Sequence, residues 1–275
     1  MRLAEGWLPA GLPPDRLAIS SWCWAADYYA GRFSLLDMPA RAALLGVSLL
    51  ELNDFMLPPP RFSRVVRPLF RLLPYGNSEL WRYRQLTLLR LRDELAAHGQ
   101  QCLCWTLNTD FSLPPAGWPA QWLYWRWGVK AARTVGARLL RIILGGSDGA
   151  LAGPVVGARL NRFLRYALDR FDGQIVLENH WGMSQDWAQH RAVLQTARAA
   201  LPAADRPRFG LCLDPVNFPP ADRPTAWAQL ATDATHVHLK APAPPDVYDL
   251  TAFLGHLDGA GYNGHFTLET MGFCR

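Results

Sequence analysis

The sequence predicts an α/β protein, a single-domain (β/α)8 barrel of the TIM type. Eight short apolar runs alternate with longer segments of helical period, the pattern that builds parallel β-α units. The runs are nearly continuous in apolar residues, as strands covered by helices on the sheet's outer face are. The length of 275 residues is close to the ~250 that eight such units occupy. A doubly wound sheet is the competing arrangement, but no G-x-G-x-x-G follows the first strand.

Taken in order, residues 1–16 form a proline-bearing N-terminal extension, and 17–275 carry the barrel. The first strand is LAISSWCW (17–24), followed by a helix over 35–45 that stops at Gly46. The second, SLLELND (48–54), leads into an unusually long connection, 55–78, where a short loop is the norm. A helix over 79–98 stops at Gly99, and QCLCWTLN (101–108) is the third strand. A helix over 121–135 stops at Gly136, and RLLRIILGG (138–146) is the fourth. Helices over 157–170, 185–200, 224–232 and 249–260 separate IVLENH (175–180), FGLCLDPVN (209–217), THVHLKA (235–241) and HFTLETMG (265–272). The last helix stops at Gly261. Glycines just past a helical pattern supply the left-handed residue that ends a helix. The sequence stops six residues after Glu269, so no eighth outer helix is expected. Its place is left to the N-terminal segment or to a partner subunit, which admits a homo-oligomer.

Half of the residues are hydrophobic and 19% are charged, enough for a sizeable core and unlike a disordered chain. No stretch reaches the roughly 18 apolar residues of a membrane span, and the start lacks a signal peptide's apolar run. Five cysteines without a C-x-x-C fit reduced core residues and a cytoplasmic protein. The formal charge of +5 permits an anionic substrate but does not indicate nucleic-acid binding.

Chemistry concentrates in the last four strands. The fifth ends in Glu178, the sixth in Asp214, the seventh in His238 and the eighth in Glu269, each at the C-terminal end of an apolar run. That rim is where sites form in this architecture. Strands ~4.8 Å apart let four consecutive ends aim at one centre, and three crowded carboxylates repel unless a cation joins them. Three oxygen-donor residues and an imidazole suit one divalent ion, whether Mn²⁺, Mg²⁺, Co²⁺ or Zn²⁺.

The stretches ELND (51–54), LENHWGMS (177–184), CLDPVN (212–217), HVHLK (236–240) and LET (268–270) resemble, in order and spacing, the xylose isomerase-like TIM barrel superfamily, in particular its sugar phosphate isomerase/epimerase branch. The resemblance implies a metal held by Glu178, Asp214, His238 and Glu269, with Glu178 and Glu269 also shuttling protons. The expected reaction is isomerisation or epimerisation of a small polyhydroxylated substrate (a sugar, sugar phosphate or keto-polyol) through proton removal beside a carbonyl and an enediolate. Dehydration of a keto-polyol on the same ligands is the alternative. An endonuclease of the same barrel would need extra histidine ligands, and Asn53, Asn108 and Asn217 stand at those strand ends. A non-catalytic binding protein is the remaining reading. Two departures touch substrate recognition: Asn217 where family members often carry His, and Ala241 where Asp commonly follows H-L-K.

The remaining candidates weigh function against a plainer role. His180 shares the face of Glu178, to bind substrate, act as an acid or cap a loop. Lys240 points inward with His238 and is one of only two lysines, which favours a substrate contact; His236, deeper, reads as a satisfied core histidine. Arg141 needs an acid partner, with Glu51 and Glu178 as candidates, so Arg141 and Glu51 are expected to support the ligands from behind. Asn53, Asn108 and Asn217 are placed to reach substrate. Trp22 could wall a sugar site, as could Trp24, Trp105 and Trp181, although core packing is the safer role for any one of these rings. GGSDG (145–149) reads as a turn, and Arg61, Arg64, Arg67 and Arg71 as a solvated face.

Overall fold

A computed structural model describes residues 12–58, 83–146, 153–241 and 247–271. Eight strands follow in order: β1 (Leu17–Ser20), β2 (Leu49–Asn53), β3 (Gln101–Thr106), β4 (Leu139–Ile143), β5 (Gln174–Glu178), β6 (Phe209–Leu213), β7 (Ala234–Leu239) and β8 (His265–Leu268). Each pairs in parallel with the next, and β1 also pairs with β8, so the sheet closes into a barrel. The outer layer comprises α1 (Ala25–Tyr29), α2 (Met38–Leu44), α3 (Gln85–Ala97), α4 (Trp118–Val135), α5 (Gly153–Leu168), α6 (Trp187–Ala199), α7 (Arg223–Leu230) and α8 (Leu250–Gly259). Both α1 and α2 lie between β1 and β2, and no helix follows β8 among the described residues. No described helix is long and apolar enough to cross a membrane.

Local chemistry sets the boundaries. Asp186 caps α6 by accepting from the Ala188 and Gln189 N–H groups, and Asp249 caps α8 through Ala252, each satisfying donors that a helix start leaves open. The four expected stop glycines all adopt positive φ: Gly46 71°, Gly99 65°, Gly136 71° and Gly261 71°. Helix α4 begins at Trp118 rather than 121, because Pro119 fits the first turn, where no N–H is needed.

The strands are shorter than their apolar runs. Residues 17–24 are strand only as far as Ser20; Ser21–Trp24 is a 3-10 turn, because the Ser20 hydroxyl accepts the Trp22 N–H and bends the chain. Arg61, Arg64, Arg67, Arg71, residues 147–149 of GGSDG and Cys274 lie outside the described residues. The other four cysteines are buried.

The barrel interior is layered. Ala18, Leu49, Leu103, Cys104, Leu139, Val176 and Cys212 form an apolar plug at its lower end, and the large hydrophobic core lies between the sheet and the helices. Above the plug the inward positions turn polar. The ladder skips one residue at Leu103, between the pairs Leu50–Cys102 and Glu51–Cys104, and one at Thr235, between Leu211–Ala234 and Cys212–His236. Such bulges re-aim the residues beyond them. Gly210 makes room for the second, since a Cβ there would lie 1.8 Å from Thr235 Oγ1.

Candidate metal centre

Alternation along each strand sends every second side chain inward, and β5 to β8 deliver Glu178, Asp214, His238 and Glu269 to one point. One donor atom from each lies within 4.8 Å of all the others. His238 Nδ1 is 3.2 Å from Glu178 Oε1, 3.2 Å from Glu269 Oε2 and 3.5 Å from Asp214 Oδ2. It makes no directed hydrogen bond to any of them, although all four side chains are buried.

Asp214 and Asn179 tie the rim of β5 to that of β6. The Asn179 carboxamide donates to Asp214 O at 2.9 Å and accepts from Asp214 N at 2.8 Å. Asp214 Oδ1 takes the Val216 and Asn217 N–H groups, which leaves Oδ2 for the centre. Asn217 reaches back to Glu178 Oε1 at 3.5 Å and to Asn179 O at 2.9 Å. Lys240 Nζ bridges Asp214 Oδ2 at 3.0 Å and Glu269 Oε2 at 2.7 Å. Arg141 pairs directly with Glu178, and its Nε is 3.7 Å from Glu51 Oε1. Glu51 in turn meets both β7 histidines, His236 Nε2 at 2.9 Å and His238 Nε2 at 3.1 Å.

Charge and spacing test whether a cation fits. Among the described residues of this cluster, Glu51, Glu178, Asp214 and Glu269 face two permanent cations, Arg141 and Lys240, all nearly or wholly out of solvent. With both histidines neutral, as a metal ligand must be, two negative charges are left over, which a low-dielectric interior does not tolerate, and a single divalent ion supplies two positive ones. Tetrahedral ligand atoms ~2.0–2.2 Å from a common ion stand about 3.3–3.6 Å from one another, close to the 3.2–3.5 Å found around His238 Nδ1. The protein's own charges follow the same logic. Burial alone would raise the Asp214 carboxyl, but Lys240 and His238 hold it down to about 2. Glu269 lies well below the usual carboxylate range, burial again being outweighed by His238 and Lys240. Burial disfavours charge on His238 as well, yet the surrounding negative groups, Glu269 and Glu51 among them, push its pKa well above the ordinary value, so without an ion a proton on the ring takes up part of the charge that a cation would.

The other candidates divide. His180 is half-buried beside Trp181, at 5.7 Å between ring centroids, and its Nδ1 has no hydrogen-bond partner. Burial and then Arg141 lower its pKa to about 4, so it is neutral. Its backbone N–H is held by Ser184 Oγ at 2.8 Å. Asn53 sits in the wall: its carboxamide donates to Ser20 and Ser21 and accepts from Thr106 at 2.8 Å and Arg141 at 3.4 Å, which uses its polar capacity. Asn108 is exposed, and its backbone N–H donates to Tyr124. Trp22, displaced from β1 by the turn, packs edge-on against Tyr29 and Phe55. Trp24 and Trp105 are buried in the core, and Trp181 is exposed. His236 contacts Thr267 Oγ1 at 3.0 Å as well as Glu51, so it belongs to the polar interior.

Sequence reasoning did not find Ser20, Asn179 or Thr267. The Ser20 hydroxyl donates to Glu269 Oε1 at 3.3 Å, and its place at the end of a run was a usable signal. Asn179 has the opposite parity to Glu178 and carried none.

A closed parallel barrel whose C-terminal rim gathers three acids and a histidine defines a class of (β/α)8 proteins. This chain belongs to the xylose isomerase-like TIM barrel family, whose model matches residues 68–272. No curated protein sequence matches it. Among solved structures it resembles a D-allulose 3-epimerase from Methylomonas sp. in complex with D-allulose, with TM-score 0.65 and 17% identity over 92% of this chain and 83% of that one. It also resembles the IolI protein with a bound zinc atom, with TM-score 0.62 and 14% identity over 92% and 88%. A third is a xylose isomerase-like TIM barrel/4-hydroxyphenylpyruvate dioxygenase fusion protein, with TM-score 0.66 and 16% identity over 92% of this chain. The chain spans only 38% of that fusion protein's length. At these identities the likeness is one of fold.

Proposed function

We propose that the chain is a divalent-metal-dependent isomerase or epimerase of a small polyhydroxylated carbonyl compound, a sugar or keto-polyol in free or phosphorylated form. The observation that carries this reading is the set Glu178, Asp214, His238 and Glu269, whose donor atoms lie within 4.8 Å of one another in a cluster left two negative charges in excess when its histidines are neutral. These four residues would hold the ion. Bound there, a divalent cation polarises a substrate carbonyl or hydroxyl and acidifies the neighbouring C–H.

The protein's residues supply the rest. Glu178 and Glu269 come from β5 and the end of β8, on either side of Asp214 and His238, so two carboxylates flank one reacting centre. One takes the proton from carbon through a carboxylate oxygen, and the other acid returns it. Return to the same carbon from the opposite face inverts it; return to the next carbon converts aldose to ketose. Lys240 holds the Glu269 carboxylate ionised and ready to take a proton, and Glu178, paired with Arg141, would have to carry a proton before it returns one. Neutral His180, with an open Nδ1, is suited to a substrate hydroxyl. Likeness of fold to a D-allulose 3-epimerase and to a protein with a bound zinc atom supports this choice of substrate and ion.

The test uses chelator-stripped protein reloaded in turn with Mn²⁺, Mg²⁺, Co²⁺ or Zn²⁺ and incubated with a panel of ketoses, aldoses and keto-polyols in D₂O. Mass-conserving conversion with deuterium entering one C–H position is the expected outcome. Loss of water from the product would instead make the protein a dehydratase. Uptake of two or three ions per chain would point to phosphodiester chemistry. No ion uptake and no turnover would sink the proposal.

A further inference from the structure

The barrel has a second end. Its lower mouth, opposite the rim that carries the acids, holds a cavity of about 440 Å³, within the range of small-molecule sites. The plug residues Leu103 and Leu139 close it from above, and Arg138, Gln174, Asn263 and His265 bring polar groups to its wall. Strand alternation accounts for two of these. Gln174 and His265 repeat the inward parity of Val176 and Thr267 two residues lower. Between α8 and β8 the wall is backbone: Gly261 turns there with φ 71°, and a Cβ on Gly264 would lie 2.8 Å from Thr235 O. Arg16 fastens this segment by donating to Gly264 O at 2.8 Å and to Tyr262 O at 3.3 Å. Charge in the mouth has one sign. None of the lining residues is Asp or Glu, and the Arg138 guanidinium donates to the neutral Gln101 carboxamide rather than to a carboxylate. Burial, then His236, Arg138 and Arg16, lower the His265 pKa against the opposing pull of Asp15, so this imidazole offers a hydrogen bond rather than a charge.

We propose that the lower mouth is a second binding site, for a small polyol carrying a phosphate or carboxylate, with the anionic group on Arg138 and His265 and the hydroxyls on Gln174 and Asn263. A guanidinium meets either oxyanion through paired N–H bonds, and no acid in the lining competes for it. A carboxamide supplies a donor and an acceptor together, which is what a hydroxyl needs. The cavity is larger than a bare oxyanion and leaves room for a short hydroxylated chain beside it. The apolar plug separates this mouth from the acids above, so the site stands apart from the metal-centre reading and is tested without it.

Full-length protein labelled with ¹⁵N-histidine is titrated in turn with ribose 5-phosphate, gluconate, inorganic phosphate and ribose. The His265 signals are identified by their absence from His265→Gln, and calorimetry gives the affinities. Ribose 5-phosphate or gluconate should shift the His265 signals to saturation, and the tighter of the two names the anionic group. Arg138→Gln should weaken that binding by about 10- to 100-fold, the range for hydrogen bonds to a charged group, whereas Glu178→Gln should leave it unchanged. An unmoved His265 with every ligand would overturn the proposal, as would full affinity in R138Q or loss of binding in E178Q, which would put the ligand at the other end of the barrel. Inorganic phosphate or neutral ribose binding as tightly as the anionic polyols would overturn it too, because the site would then not require both groups. Should R138Q not fold, the wild-type titrations still decide, through the response of His265 and the order of the four affinities.

Discussion

Glu178 and Glu269 stand on either side of one imidazole nitrogen, each 3.2 Å away, and each has its own cation behind it. If they carry the substrate's proton, Glu178→Gln and Glu269→Gln should each lower kcat/KM by about 10²-fold or more, the usual range for general acid–base groups, with the circular dichroism of the fold retained. A second residue-level expectation lies outside the site. His190 on α6 is fully buried, and burial lowers its pKa to about 4. The folded pKa is below the ordinary ~6.5, so the unfolded chain binds the proton more readily. The stability that depends on neutral His190 is present above pH ~6.5 and is lost as pH falls toward 4. Linkage puts the loss between pH 7 and 5 at about 2 kcal/mol. Urea titrations of wild type and His190→Leu at both pH values should show that much less pH dependence in the variant.

At the scale of elements, the described parts of the loops after β4 and β5 pack closely where they meet. Gly182 has φ 65°, and a Cβ on it would lie 2.3 Å from Gly146 O; the loop after β5 thus leans on the backbone after β4. Gly182→Ala should cost about 1–3 kcal/mol through backbone strain and crowding, measured as a lowered urea midpoint, and should weaken metal uptake by shifting the segment that follows Glu178. The same elements show how much could be read in advance. Alternating apolar runs and stop glycines made the eight strands and their intervening helices legible, because burial and helix termination are local in sequence. Glu178, Asp214, His238 and Glu269 were legible as a group because each interrupts an apolar run near its end. The reach of the strands was not: the turn at Ser21–Trp24 depends on one hydroxyl bond from Ser20, invisible to periodicity. Nor was Asn53's position, whose partners Ser20, Ser21, Thr106 and Arg141 come from β1, the turn after it, β3 and β4, neighbours that only barrel closure brings together.

For the whole molecule, the excess negative charge in the upper barrel would couple the proposed ion binding to folding. A divalent cation that binds only the folded state, at 100 times its Kd, adds about 2.7 kcal/mol. For a chain of this size that amounts to roughly 5–10 °C in Tm. Differential scanning calorimetry with and without chelator should show that rise, with close to one ion bound per chain by elemental analysis. The two ladder skips, at Leu103 on β3 and Thr235 on β7, each let one strand change phase against its neighbour. A residue gained or lost on β7 just before Thr235 would be absorbed where the pairing already slips, and the inward parity of His236 and His238 would survive. The loop leading into β7 is therefore free to drift in length over evolutionary time, or in a designer's hands, without turning those two rings inside out.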